Sequence, residues 1–217
     1  MARPKTPILS KPAIRAAALA VIDRDGLEKL SMRKLAQELD VRAASLYSHY
    51  GNKDELLTEI SEEVTADIDV SGFDQDWREG LARWSRSYRE ALTRHPNLLP
   101  VAAAGPGRRE EALRRADAVH GGLVSAGWPP KQATMIGASA KYLIVGAATQ
   151  SFARGFDDDV RVYRDRYPNL TQAHRLPEHA SEIDDASFEL ALTAFLDGLE
   201  GLFAQVTSGE NEGSGEA

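Results

Sequence analysis

The sequence predicts an all-α fold, and three observations carry that prediction. Apolar residues recur at helical spacing along most of the chain, and no strand-like alternation persists anywhere. Breaks at Pro or Gly, such as Gly26, Gly51 and Val70-Ser71-Gly72, separate the periodic segments. Several segments open on Ser or Asn, side chains that can accept the free N–H groups of a first helical turn.

Residues 1–9 are basic, contain two prolines and show no periodicity, which describes a flexible arm. Ser10 caps a first helix and Pro12 is tolerated in its opening turn. Ile14, Ala18, Val21 and Ile22 form its apolar stripe, and Gly26 stops it. Ser31 then caps a brief second helix, Met32 to Leu39, with Leu35, Ala36 and Leu39 facing inward. Asp40-Val41 makes a tight turn before a third short helix over Ala43 to Tyr50, in which Leu46 and Tyr50 share one face. Asn52 and Glu55 have the spacing of a capping box, opening a connecting helix within residues 53–69.

Beyond Val70-Ser71-Gly72 the periodicity predicts helices at about 74–94, 97–103, 107–126, 130–155 and 183–206. Residues 157–180 read as a long loop with one helical turn, and the Gly/Ser/Glu-rich stretch 208–217 as a disordered tail. The expected organisation is therefore an arm (1–9), a small three-helix domain (10–52), a connecting helix (53–69), a larger helical domain (70–207) and a tail (208–217).

Composition narrows the function classes. The chain has 217 residues and no cysteine, so neither a disulfide framework nor a thiolate metal site is available. No secretory signal opens it, and the most apolar run, Ile136 to Ala148, is broken by Lys141 and too short to span a bilayer. A cytoplasmic location without membrane contact is expected. The net charge of −7 conceals an asymmetry: residues 1–53 carry ten Lys/Arg against five Asp/Glu, while the remainder is strongly acidic. A basic head on an acidic body can meet phosphates with one end only.

The two short helices give this head its meaning. Neither buries much surface alone, but as a helix-turn-helix the first supports the second, whose outer face is free to enter the major groove. With Leu46 and Tyr50 turned inward, Ala43, Ala44, Ser45, Tyr47, Ser48 and His49 surround the exposed surface. These small or hydrogen-bonding groups suit base edges, thymine methyls and phosphates. Arg42 stands where the third helix needs a cap, although Arg cannot accept an N–H bond. It is either a DNA contact, to phosphate or to guanine, or a solvated cation at a helix start.

Three stretches make residues 10–68 resemble the DNA-binding domain of the TetR family. They are Gly26 to Ala36, Val41 to Tyr50 with its Leu-Tyr-x-His, and Asn52 to Leu57, all in register without a gap. The resemblance implies a homodimer on double-stranded, near-palindromic operator DNA, usually a repressor released by a small-molecule effector. It implies DNA contacts from Arg33, from Ala43, Ala44, Ser45, Tyr47, Ser48 and His49, and from Lys53 at the next helix start. The layout from Asp74 onward resembles effector domains of the tetracycline-repressor type. In that type a metal-bound drug is held by a histidine soon after the stretch matching Ala91 to His95. Here Val101 to Gly105 supplies no such ligand, so neither metal nor cofactor is expected and the effector stays open.

Trp84, Tyr88, His120, Tyr142 and Gln150 are polar or aromatic residues on apolar faces and are candidates to line an effector pocket, although plain core is the commoner role of such aromatics. Phe188, Leu192, Phe195, Leu199 and Leu202 form a heptad-like seam. It reads as a dimer interface, with an intrachain core giving the same pattern. No His-Glu-x-x-His, Gly-x-Ser-x-Gly, phosphate-binding loop or dinucleotide fingerprint occurs, and His174 and His179 are five apart, so no enzyme is expected. The competing class is a helix-turn-helix adaptor, or an activator without a small-molecule effector.

Overall fold

A computed structural model of the chain describes residues 9–213 apart from 106, 150 and 165. Gln150 thus lies outside the described residues, as do most of the basic arm and the last four residues of the tail. Among the described residues there is no strand. No helix among them is long and apolar enough to cross a membrane. The chain divides into two compact units: Met1–Asp67 with Ala91–Leu113, and Ile68–Glu90 with Arg114–Ala217.

The first unit begins with α1 (Lys11–Asp25), capped by the Ser10 hydroxyl, which accepts from the Ala13 N–H. Ile14, Ala18, Val21 and Ile22 are fully buried along it. Gly26 ends it at φ +92°, a backbone conformation that a side chain would resist, and its N–H returns to the Ile22 carbonyl at 2.8 Å. α2 (Met32–Glu38) is capped by Ser31, which accepts from Lys34 N–H at 3.1 Å. Asp40 then turns left-handed at φ +51°, so that Val41 N–H reaches Ala36 O and Asp40 N–H reaches Gln37 O. That pair of bonds closes the helix in a Schellman turn and redirects the chain into α3 (Ala43–Tyr47). α4 (Lys53–Val64) starts on Asn52, whose side chain accepts from Glu55 N–H at 2.8 Å. The Glu55 carboxylate reaches back one residue beyond the usual capping box, to Gly51 N–H at 2.7 Å. Expected to run on toward Ile68, α4 stops at Val64, where Thr65 turns its hydroxyl onto Ser61 O at 2.7 Å.

α5 (Trp77–Arg94) starts in the second unit, and its last turn belongs to the first. The first unit also holds α6 (Leu99–Ala102) and the start of α7 (Glu110–Ser125). The rest of the second unit is built on the remainder of α7, on α8 (Pro130–Thr149) and on α9 (Ala180–Gly213). The Phe73 ring wedges where both α5 and α7 present a glycine: a Cβ at Gly80 or Gly122 would lie 2.3 or 2.6 Å from it. The predicted helix over 130–155 ends early because Ser151 starts a new turn, its hydroxyl accepting from Arg154 N–H at 3.2 Å. Among its described residues the stretch 157–180 carries three short 3-10 turns rather than one helical turn. α9 begins three residues before the expected 183 and extends through Gly213, so the first part of the expected tail continues the helix.

Candidate nucleic-acid interface

α3 has only five residues, and what fixes it is the burial of Leu46 and Tyr50. A helix this short has no stability of its own. Around those anchors Ala44, Ser45, Tyr47 and Ser48 are exposed, while Ala43 and His49 are half-buried. Arg42 is the residue before the helix (φ −76°, ψ 140°) and makes no capping bond with its exposed side chain; its carbonyl instead accepts from Ser45 N–H at 2.9 Å. Ser48 donates its hydroxyl hydrogen to Ser45 O at 2.7 Å. Arg33 is exposed on α2. Lys53 is half-buried, with Nζ donating to Leu27 O at 3.2 Å, so it braces the α1–α2 connection from the start of α4.

Tyr50 also has a polar role. Its ring is buried, and its hydroxyl donates to Glu59 on α4 at 2.8 Å. Arg15 of α1 donates to the same carboxylate at 3.0 Å and pairs with Glu63. Lys11 pairs with Glu59 and lies 4.7 Å over the Tyr50 ring. One phenol thus ties the end of the recognition segment to α1 and α4 together. A signal for this lattice existed in the sequence: Lys11 and Arg15 are one turn apart, as are Glu59 and Glu63.

Burial pushes the Glu59 carboxyl up, but the hydrogen bonds from Lys11, Tyr50 and Arg15 outweigh it and hold the group below its ordinary value. A carboxylate with a depressed folded value stabilises the fold above its unfolded value, and that contribution is lost as pH falls through the folded one. Glu59→Gln should therefore shrink the loss of stability between about pH 5 and pH 3. Urea midpoints at the two pH values check this, and an unchanged difference in the variant would remove Glu59 from the acid response.

A second set of contacts reaches this head from residues much later in the chain. Asn97 donates to the carbonyls of Ile22 and Asp23, both at 3.0 Å, satisfying the open end of α1. His95 Nδ1 lies 2.9 Å from Asp23. Arg109 donates to the hydroxyl of Ser61, a fully buried residue of α4, at 2.7 Å, and to Gly105 O at the same distance. Residues 95–109 thus grip both α1 and α4. These contacts had no signal in helical periodicity.

Comparison with known proteins agrees with this geometry. The profile described as "Bacterial regulatory proteins, tetR family" matches residues 14–60. That described as "Tetracyclin repressor-like, C-terminal domain" matches residues 73–203. The chain belongs to the tetR family of bacterial regulatory proteins. This TetR-family chain is similar to the tetracycline repressor protein class A from transposon 1721 of Escherichia coli: 31% identity over 194 residues, 84% of this chain and 87% of the relative. It is 32% identical over 146 residues to an HTH-type transcriptional regulator of Saccharopolyspora erythraea, 66% of this chain but only 61% of that protein's length. The crystal structure of the Streptomyces coelicolor TetR family protein ActR in complex with (S)-DNPA superposes with a TM-score of 0.68 at 29% identity, covering 89% of this chain and 98% of that one.

The remaining candidate residues of this TetR-family chain fare unevenly. Trp84 and Tyr88, one turn apart on α5, are buried with ring centroids 6.0 Å apart. His120 is half-buried, with Nε2 3.3 Å from the Pro130 carbonyl. Tyr142 does not join an interior site: it is 76% exposed, because α8 buries Ala133, Ile136, Ala140, Ile144 and Ala148 and leaves Tyr142 opposite them. A groove of about 490 Å³ between Trp77, Arg78, Glu200 and Phe203 holds none of the four described effector candidates, Trp84, Tyr88, His120 and Tyr142.

The α9 seam also needs correction. Phe188, Leu192 and Leu199 are buried within the chain and Phe195 is half-buried; only Leu202 is open, at 52% exposure. α9 packs beside α8 of the same chain and is tied to α5 by charged pairs. Arg86 pairs with Glu189 at 2.7 Å, Arg89 with Asp185 at 2.8 Å, and Arg78 with Asp197 and Glu200 at 2.6 and 3.0 Å. Arg89 also lies 4.8 Å over the Phe188 ring. What remains open on α9 is a different face, with Leu190 (73% exposed), Ala194, Gly198, Gly201 and Leu202. Met135 and Tyr142 are the open large apolar residues of α8.

Proposed function

We propose that this chain is a sequence-specific DNA-binding transcriptional regulator, working as a homodimer and released as a repressor from a palindromic operator by a small-molecule effector. The observation that carries the reading is the outer face of α3. Ala44, Ser45 and Ser48 stand free of the protein on a helix held from behind by Leu46 and by the Tyr50–Arg15–Glu59 lattice. A rigid, thin, uncharged helix with Arg42 and Arg33 outside it is what a groove reader needs: base contacts from the helix and phosphate contacts from its surroundings. The similarity to tetracycline repressors and to a ligand-bound relative supports release by an effector. The contacts of residues 95–109 with α1 and α4 offer the physical route, since a shift of this segment would move the carriers of α3. The open faces of α8 and α9 support a helix-bundle dimer.

The test is electrophoretic retardation of duplex DNA from upstream of the protein's own gene, repeated over a salt series. Specific retardation is expected, and its absence across that region would favour a protein-binding adaptor. In the same assay, Lys53→Ala should weaken binding to all duplexes alike and lower the slope of log affinity against log salt by about 1. An unchanged slope in a folded variant would confine Lys53 to its brace on Leu27.

A further inference from the structure

Resting on the operator-binding reading above, we propose that the recognition helix reads thymine through its 5-methyl group, with Ala44 as the residue that sets this specificity. Leu46 buries one side of α3, with Tyr50 buried just beyond its end, and the opposite side is formed by Ala44 and the C-cap residue Ser48, with Ser45 next to them. None of these can form the two-pronged hydrogen bonds by which Arg or Lys reads guanine and Asn or Gln reads adenine. Ser48 is restricted further, because its hydrogen is donated to Ser45 O at 2.7 Å and its oxygen can only accept. The outermost surface of the helix is therefore a methyl group beside a bare hydroxyl oxygen.

In the major groove one base displays an apolar group, and that base is thymine. Short side chains also let the helix backbone come close to the base edges, which brings the Ala44 methyl within contact of that group. The long cationic side chains stand elsewhere, Arg42 before the helix and Arg33 on α2. They reach phosphates or flanking bases and leave the centre of the contact apolar.

Duplexes bound by the full-length protein can be selected from a randomised pool, and each selected thymine then replaced singly by deoxyuridine. That change removes only the methyl and keeps every hydrogen-bonding group and phosphate. At one or two symmetry-related positions per half-site, uracil is expected to weaken binding about fourfold, the effect of one buried methyl. Ala44→Gly should then bind the thymine and uracil duplexes at those positions nearly equally. The loss of helix propensity in the glycine variant affects both duplexes alike and cancels in the comparison. Uracil tolerated at every position by the wild-type protein would overturn the proposal and leave operator binding intact. A uracil effect that survives unchanged in Ala44→Gly would overturn the assignment to Ala44. Selection of no duplex at all would sink the operator reading and this inference with it.

Discussion

Leu46→Ala is expected to destabilise the protein by about 2–5 kcal/mol and to abolish DNA retardation. Leu46 is fully buried and lies in a helix of five residues. In a longer helix the remaining hydrogen bonds would preserve the element around a cavity. Here the deleted side chain is one of only two anchors, and the helix on its own is far below the length at which nucleation is recovered. The effect should appear first as loss of amide-exchange protection across residues 43–50, and only then as a lower urea midpoint. Retained protection in that segment with full DNA affinity would show that Tyr50 and its lattice suffice to hold α3.

The second large effect is on assembly. Leu190→Glu combined with Leu202→Glu should convert a dimer to monomers in sedimentation at micromolar concentration. Two carboxylates would be placed on a face that is open in the single chain and would have to be buried unpaired in the dimer. Because an operator with two half-sites is held by both recognition helices at once, monomers should lose on the order of 100-fold or more in affinity. Leu192→Ala is the contrasting change: Leu192 is fully buried within the chain, so about 2–5 kcal/mol of folding stability should go before assembly is touched. Wild-type protein sedimenting as a monomer, or a dimer that survives both glutamates, would remove the open α9 face from the interface.

The head of this protein was legible because its signals are local. Ser10, Ser31 and Asn52 each cap the helix that follows them, and each acts within three residues of itself. The inward direction of Leu46 and Tyr50 follows from the shortness of α3, which leaves room for only one buried face. In α9 the same kind of evidence gave a stripe but no partner. Phe188, Leu192 and Leu199 would repeat identically against a second subunit or inside the same chain, and the elements that cover or tie α9, α8 and the arginines of α5, lie far away in sequence. A phenol in an apolar helix likewise fits a pocket and a free face equally well, and Tyr142 stands on the open face of α8. The grip of Asn97 on the end of α1 lies beyond such reading altogether, being one amide meeting two backbone carbonyls 74 and 75 residues away.

That grip bears on how such a chain can be recombined. The family profiles cut it between residues 60 and 73, as though a DNA reader could be detached there and joined to another sensor. Yet the compact unit that contains the reader also includes Ala91–Leu113, which lies inside the sensor half of that cut. A hybrid joined near residue 69 would take its reader from one parent and the Asn97 and Arg109 braces from the other. Grafting residues 91–113 together with the head keeps each brace with the carbonyls and the Ser61 hydroxyl it was shaped for, so the transplantable module in this protein is two stretches of chain rather than one.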